Sequence, residues 1–440
     1  MSAASSEPIS SASRGTPSVV SGARLDRWLW SRERLIWADQ ITHALKGFPT
    51  LASLDHAAWW PEEKRRLERF LATVQRGAPG EGLPPGADAR PDPGLAPLEE
   101  VRPLAPGRMR AVQWNILKGI SFEGLVEWLR ERPRLAGADF VVIEEADIGM
   151  ARSENRHVAA ELAARLGLHW AYAANYWELT KGPGPDAVAT GENLIGLQGV
   201  AILSRRPAIA VARIPLPECF PMFDFPEKRY GGRAGIVASF PRGLVVAGVH
   251  LEVRNTPRCR AGQMREFLAA IERFVESETR AGRPAQAVLI GGDLNTHTFS
   301  RTSLAGAFRG LLRVAGTPRR MLHRTLMHPW VRRSEPLFVD LARAGYRWKE
   351  LNDLRPTADE VLGNAEEVSL VPAWLSRILM RLFSLYERRV EMRLDWFAGR
   401  GIEATPPEGA ATIGDVQDPS VPSDHLPISL DFEMKIESPR

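Results

Sequence analysis

The chain has 440 residues, 44% of them hydrophobic and 25% charged, which is ordinary for a globular protein with a large core and excludes a low-complexity or collagen-like chain. The net charge is +4 and only seven of the 57 basic residues are Lys, so the positive charge is almost all Arg, whose fork matches phosphate oxygens; so small a charge over this length does not identify an anionic partner. Two cysteines, Cys219 and Cys259, are too few for a disulfide framework or a zinc site.

Residues 1–23 are rich in Ser, Ala and Gly and read as a disordered tail, without the basic-then-apolar pattern of a secretory leader. Residues 24–76 read as a small helical region. Leu25, Trp28, Leu29, Leu35, Ile36 and Trp37 give an apolar face, and a second helix runs from Pro61 to Phe70 with Glu62, Glu63, Lys64, Arg65 and Arg66 on a solvated face. Residues 77–108 hold eight Pro and six Gly, a density that predicts a linker or extended wrap. No run approaches the 18 or so apolar residues of a transmembrane helix, so a cytoplasmic protein is the default expectation.

From residue 109 to 435 the pattern is that of one larger domain. Short apolar runs at 111–117, 140–143, 200–203, 235–240, 244–249 and 288–290 predict buried strands. Helices are predicted at 122–129, 158–166 and 260–275, the last with Met264, Phe267, Leu268, Ile271 and Phe274 on one face. Strands with helices between them and no Gly-rich phosphate loop favour a layered sandwich over a dinucleotide-binding fold. Residues 300–392 form a long basic and helical insertion. Between Ser300 and Ser334 there are eight Arg and no acidic residue, and 374–390 is amphipathic, with Trp374, Ile378, Leu379, Leu382, Phe383 and Tyr386 on one side.

Polar residues at the tips of buried strands are the informative feature, because water returns there and function concentrates there. Asn115 ends AVQWN, Glu144 and Glu145 end FVVIEE, His250 ends LVVAGVH, Asp293 and Asn295 end VLIGGDLN, and Asp424 and His425 precede the run LPISL. Singly, each has an ordinary reading as a solvated turn or a helix cap. Their joint order is more specific.

That order resembles the endonuclease/exonuclease/phosphatase superfamily, in the segments QWN, IEE where LQE is usual, GVAILSRRP, VHLEVRNTPRCRAGQ, GGDLNT, RLDWF and PSDHLP, spread over residues 113 to 427. The resemblance covers about three-quarters of the chain and leaves out the first hundred residues. It implies a DNase I-like α/β fold, a four-layer sandwich of two mainly antiparallel β-sheets flanked by helices, here preceded by the small helical N-terminal region. It implies Mg²⁺, with Mn²⁺ as a substitute, held by Glu145 and Asn115 with Asp424 supporting the metal side. Hard oxygen ligands suit such an ion. By the same resemblance Asp293 orients or deprotonates the attacking water, Asn295 and His250 hold phosphate oxygens, and His425 faces the scissile phosphate with its imidazole fixed by Asp395.

Glu144 alternates away from Glu145 and reads as structural. Glu192 and Asn193 are weaker candidates for phosphate contact, and Arg260 and Gln263 read as ties between helix and loop. The substrate is open among nucleic acid, a lipid, and another small phosphoester. The Arg-rich 300–334 stretch could follow a nucleic-acid backbone or, with 374–390, rest on anionic lipid. RLDWF in place of a WCDR-type stretch argues against inositol polyphosphates. A non-catalytic binding module on the same scaffold is the remaining alternative.

Overall fold

The structure, a computed structural model, describes residues 29–87, 107–225, 227–254, 256–297, 316–331, 334–361, 377, 381, 389–406 and 409–435. Residues 1–23 and most of the Pro/Gly-rich segment therefore lie outside the described residues.

Two sheets form the body. The larger has nine strands, in the order β1 (Gln75–Gly77), β4 (His169–Glu178), β5 (Leu197–Ser204), β3 (Phe140–Ile148), β2 (Met109–Asn115), β16 (Ile428–Met434) and β14 (Ile402–Ala404), with β7 (Arg229–Gly231) on β4 and β15 (Ala410–Thr412) on β16. The smaller has five, in the order β13 (Asp395–Arg400), β10 (Ala287–Asp293), β9 (Leu244–His250), β8 (Ala234–Phe240) and β6 (Ala210–Pro215). A separate two-stranded ribbon pairs β11 (Ala358–Val361) with β12 (Arg389–Met392). Within the named sheets all pairings are antiparallel except β2 with β3 and β9 with β10.

Period-two alternation explains the layering. Val142, Val200 and Ile202 of the larger sheet meet Ile236, Ala238, Val246, Leu289 and Phe397 of the smaller one in a shared core. The intervening residues Val141, Ile143, Ala201 and Leu203 turn outward to helices α4 (Phe122–Glu131) and α5 (Val158–Leu166). On the other flank Val237, Val245 and Val249 meet Met264, Phe267, Leu268 and Ile271 of α6 (Pro257–Arg280). The sheets approach closely at Gly248, where a Cβ would press on Val142 and Val200. The architecture is thus the expected α/β sandwich. Strand β4 was not among the predicted strands, since its Ala-rich sequence HWAYAANYWE has no clear alternation and is buried on both faces.

The N-terminal region is helical, with α1 (Arg32–Lys46), α2 (Leu51–Leu54) and α3 (Trp60–Ala72). It shares a core with the larger sheet. Trp37 packs edge-on against Trp177 of β4 at 5.3 Å, and Trp177 Nε1 donates to Thr42 Oγ1 at 2.8 Å. Ile36, expected on the apolar face, is instead exposed. In the described part of the Pro/Gly segment, the carbonyls of Glu81 and Gly82 accept from the indoles of Trp170 and Trp30 at 3.1 Å each, so this part wraps the sheet edge. In the long insertion, α7 (Arg319–Met327) and α8 (Leu337–Arg343) are helices. The amphipathic helix expected over 374–390 is cut short, because Arg389 and Val390 belong to β12; within 374–388 only Arg377 and Arg381 are described. Cys219 and Cys259 are joined in a disulfide between the loop after β6 and the first turn of α6, with Cα atoms 6.5 Å apart. The low cysteine count had argued only against a multi-bridge framework.

His157 caps α5. Its Nδ1 accepts the Ala160 N–H at 3.2 Å, and its ring packs against Trp170 with centroids 4.7 Å apart. Burial pushes its pKa down to about 3. The folded chain keeps it neutral while the unfolded chain binds a proton below about pH 6.5, so stability falls as pH drops from about 6.5 toward 3. Between pH 7.5 and pH 5 the wild type should lose about 2 kcal/mol more than His157→Asn, which retains a capping side chain without the titration. Urea unfolding at the two pH values checks this, and equal losses in the two proteins would refute it.

Candidate active site

The strand registers assemble the site. β10 lies between β9 and β13, and its last residue, Asp293, is opposite His250 on one side and Asp395 on the other. In the facing sheet, β2 and β3 run parallel with Asn115 beside Glu144. The turn before β16 brings in His425, whose carbonyl accepts from the buried Trp114 indole at 2.8 Å. Residues far apart in sequence thus share one end of the sandwich. Gly292 lets β10 reach it, since a Cβ there would collide with the Val249 carbonyl of β9.

Asp293 is the hub and is 1% exposed. Its Oδ2 accepts from Asn115 Nδ2 at 3.2 Å and lies 3.2 Å from His250 Nε2. Its Oδ1 accepts the Asn295 N–H at 2.9 Å. Burial pushes the carboxyl up to about 7; His425 opposes the rise, Asp395 adds to it, and the Asn295 and Asn115 hydrogen bonds oppose it. His250, buried beside Arg233, is held well below the usual imidazole value and is neutral. Among the described residues its Nδ1 has no partner.

His425 Nδ1 lies 2.8 Å from Asp395 Oδ2, while its Nε2 stands 3.9 Å from Asp293 Oδ2, beyond hydrogen-bond reach. Burial alone would lower the His425 pKa; Asp395 and Asp293, with the Asp395 hydrogen bond and Asp424, outweigh it and raise it well above the ordinary value. Arg393, two residues before Asp395 in the chain, pairs with Asp353 at 3.0 Å. Behind Asp395 lies a polar layer that sequence reasoning missed. Gln113 Nε2 donates to Asp395 Oδ1 at 2.9 Å and to Glu144 Oε2 at 2.8 Å. Burial, reinforced by Asp395, raises the Glu144 pKa well above the carboxylate range. The signal was available: Gln113 is two residues before Asn115, on the same side of β2.

Glu145 reaches the mouth because β3 bulges between Ile143 and Ala146, with Glu145 at φ 59°. Burial would raise its pKa, but Lys118, Arg233, Arg229 and His425 outweigh it and lower the pKa, so Glu145 is firmly a carboxylate. Its Oε1 is 3.5 Å from Asn115 Nδ2. Asp424 is exposed at the mouth yet crowded by protein atoms; this crowding raises its pKa, His425 opposes the rise and Glu145 adds to it. Glu145 and Asp424 are therefore mutually repelling hard-oxygen donors. Asp293, Asp395 and His425 can also bring one ligand atom each within 4.8 Å of one another. In that trio, however, His425 and Asp395 already satisfy each other, and Asp293 already takes N–H donors on both oxygens.

Asn295 has φ 50°, and its Nδ2 donates to the Leu251 carbonyl at 2.8 Å, so that among the described residues one of its two amide N–H groups is left for another acceptor. Asn193 is a loop tie: its Oδ1 accepts from the Ala151 N–H and its Nδ2 donates to the Thr180 carbonyl. Glu192 is exposed and pairs with Lys181. Gln263 accepts from the Glu252 N–H and donates to the Pro217 carbonyl, and Arg260 is bonded to the buried Glu335. Four buried or half-buried cations near the mouth, Lys118, Arg152, Arg229 and Arg233, were not singled out from sequence, since nothing in their spacing sets them apart from other basic residues.

Residues 112–425 match the profile of the Endonuclease/Exonuclease/phosphatase family. Among solved structures, the chain is similar to an endonuclease/exonuclease/phosphatase from Beutenbergia cavernae DSM 12333, at 15% identity over 74% of this chain and 72% of that one, with a TM-score of 0.39. It is similar to the 3'-5' exonuclease NExo from Neisseria meningitidis, at 14% identity over 74% and 100% of the two chains, with a TM-score of 0.40. A third is the human Nocturnin catalytic domain, at 16% identity over 74% and 95%, with a TM-score of 0.36. No curated protein matches the chain.

The His425–Asp395 contact has a direct test. Asp395→Asn removes the charge and the carboxylate hydrogen bond that raise the imidazole pKa, so His425 should titrate at lower pH than in the wild type. Histidine ¹H–¹⁵N NMR on metal-free protein reads it. An unchanged His425 titration would break the pairing.

Proposed function

The chain belongs to the Endonuclease/Exonuclease/phosphatase family, and from that premise we propose that it is a metal-dependent phosphodiesterase acting on nucleic acid. The activities in the family's name are all hydrolyses of a phosphoester. The observation that carries the reading is the meeting of Asn115, His250, Asp293, Asp395 and His425 at one end of the two sheets, with Glu145 beside them.

Hydrolysis of a phosphoester needs a positioned water, neutralised phosphate charge and a stabilised leaving oxygen. Asp293 is suited to take the proton of the attacking water, since its pKa of about 7 places it near neutrality and its N–H donors fix its direction. His425, held as the cation by Asp395, presents Nε2 to a phosphate oxygen. The uncommitted amide N–H of Asn295 is a second donor for phosphate. His250 is neutral and its one ring N–H is turned to Asp293 through Nε2, so it orients Asp293 in place of the phosphate contact expected from sequence.

The residues at the mouth fit a hard divalent cation, Mg²⁺ with Mn²⁺ as a substitute. Glu145 is ionised, Asp424 and Glu145 repel each other, and the Asn115 carbonyl keeps a second lone pair beyond its bond from the Leu117 N–H. Glu145, Asp424 and Asn115 would hold it. When bound, it supplies charge neutralisation to the phosphate and to the leaving oxygen. Exposed Arg320 and Arg324, in the described part of the basic insertion, are cations suited to follow a repeating phosphate backbone, which supports nucleic acid as the substrate.

With Mg²⁺ and bis(p-nitrophenyl) phosphate or plasmid DNA, the wild type should turn over and EDTA should abolish activity. Asp293→Asn should lower kcat by about 10²–10⁴-fold with the fold retained. Glu145→Ala should raise the Mg²⁺ concentration needed for half-maximal rate and lower the maximum. A wild-type rate unaffected by EDTA, or full activity in Asp293→Asn, would sink the assignment. Headgroup release from phospholipid vesicles without DNA cleavage would replace nucleic acid by lipid as the substrate.

A further inference from the structure

Beside the mouth, three of the four cations are committed. Lys118 Nζ is 2.7 Å from Asp186, Arg152 Nε is 2.8 Å from Asp147, and Arg229 Nε is 2.9 Å from Glu178. Arg233 differs. It is buried, at 5% exposure, and its Nε lies 3.5 Å from Glu252 Oε2, an oxygen that already accepts the Tyr176 hydroxyl at 2.7 Å. Among the described residues, neither Nε nor Nη1 of Arg233 finds a hydrogen-bond acceptor.

Buried guanidinium N–H groups are normally satisfied, so two orphans on one side chain call for a reason. The surroundings give it. Arg233 stands just before β8, whose Gly235 is opposite Val249 of β9, so it lies beside the end of β9 that carries His250. Its backbone is held on both sides. The Leu216 N–H donates to the Arg233 carbonyl at 2.9 Å, and the next residue, Ala234, donates its N–H to Asn175 Oδ1 at 2.9 Å. Just before it, Gly231 takes φ 107° against the Asn175 carbonyl, a conformation and a close approach that a side chain would oppose. The Tyr176 ring lies 5.5 Å from the guanidinium. A rigid, charged fork with unused donors at the edge of a phosphoester site is a preorganised anion receptor.

We propose that Arg233 binds a non-bridging oxygen of the substrate phosphate from the β8 side of the crevice, across β9 and β10 from Asp395 of β13. It is a substrate-binding residue beyond those the sequence motifs supply. The inference rests on reading the crevice as a phosphoester site, but its test does not require turnover.

Inorganic phosphate is titrated calorimetrically, in the presence of Mg²⁺, into wild type, Arg233→Met and Arg233→Lys, with near-UV circular dichroism to confirm folding. Loss of a charge-assisted bidentate contact should weaken phosphate binding by about tenfold to a hundredfold in Arg233→Met. Arg233→Lys keeps the cation beside Glu252 but not the fork, so it should fold and still bind phosphate at least about fivefold more weakly. If Arg233→Met does not fold, Arg233→Lys decides alone. A wild type that binds no phosphate, or a folded Arg233→Lys that binds it as tightly as wild type, overturns the inference. Phosphate binding that depends on Arg233 in a protein that hydrolyses no phosphoester would keep this inference and discard the hydrolase reading.

Discussion

A carboxylate taken almost wholly out of water is costly unless donors surround it. Asp293 is in that position, and the fold around it is organised to supply the donors. One comes from the backbone two residues on, one from the larger sheet through Asn115, and one from the adjacent strand through His250. Each depends on a different structural relation: a turn after β10, the face-to-face packing of the sheets, and the parallel register of β9 and β10. Shifting that register by one residue would turn Asp293 and His250 away from their partners. The site is therefore a consequence of sheet pairing, and the inter-sheet core with its close approach at Gly248 sets the separation across which Asn115 can reach.

The two adjacent glutamates of β3 show how one local irregularity divides chemical roles. In a regular strand they would point to opposite faces, one into each layer. The bulge and the positive φ at Glu145 turn that residue to the mouth and leave Glu144 facing Gln113. One stays charged among cations at the mouth. The other, buried against Asp395, is driven toward the neutral acid. Backbone strain of this kind persists where its surroundings hold it in place, and it clusters at functional sites.

The sandwich class was legible because strand runs such as LVVAGVH and VLIGGD are apolar throughout and end in polar residues at the site. The same feature located Asn115, Glu145, His250, Asp293 and His425, which the structure brings together. What could not be read was anything decided by side-chain reach across the sheets. Gln113 looks like an ordinary polar residue until its amide is seen between two carboxyl groups. Arg233 is one of many arginines, and what distinguishes it is that neither its Nε nor its Nη1 has a hydrogen-bond acceptor among the described residues. Strand β4 was hidden because, buried on both faces, it carries no two-residue alternation. The contact between Ile36 and solvent was misjudged because a helical face was drawn from spacing alone, without knowing which side the sheet would cover.

The N-terminal helices, outside the family match, bear on the site through packing. They cover β4 and β7, which carry Tyr176, Trp177, Arg229 and Tyr230. Trp60 packs edge-on against Tyr230 at 5.3 Å, Lys228 Nζ donates to the Phe48 carbonyl, and the Leu51 N–H donates to Asp224 at 2.8 Å. These contacts fasten the segment from Asp224 to Tyr230 to the body of the protein. That segment leads directly into Arg233, and Arg229 within it is bonded to Glu178 of β4. If it loosened, Arg229 and Arg233, two of the cations that keep Glu145 ionised, would lose their fixed positions. The buried apolar residues of the described helices thus help to hold the basic wall of the site in place, which gives a physical reason for a helical layer outside the family match.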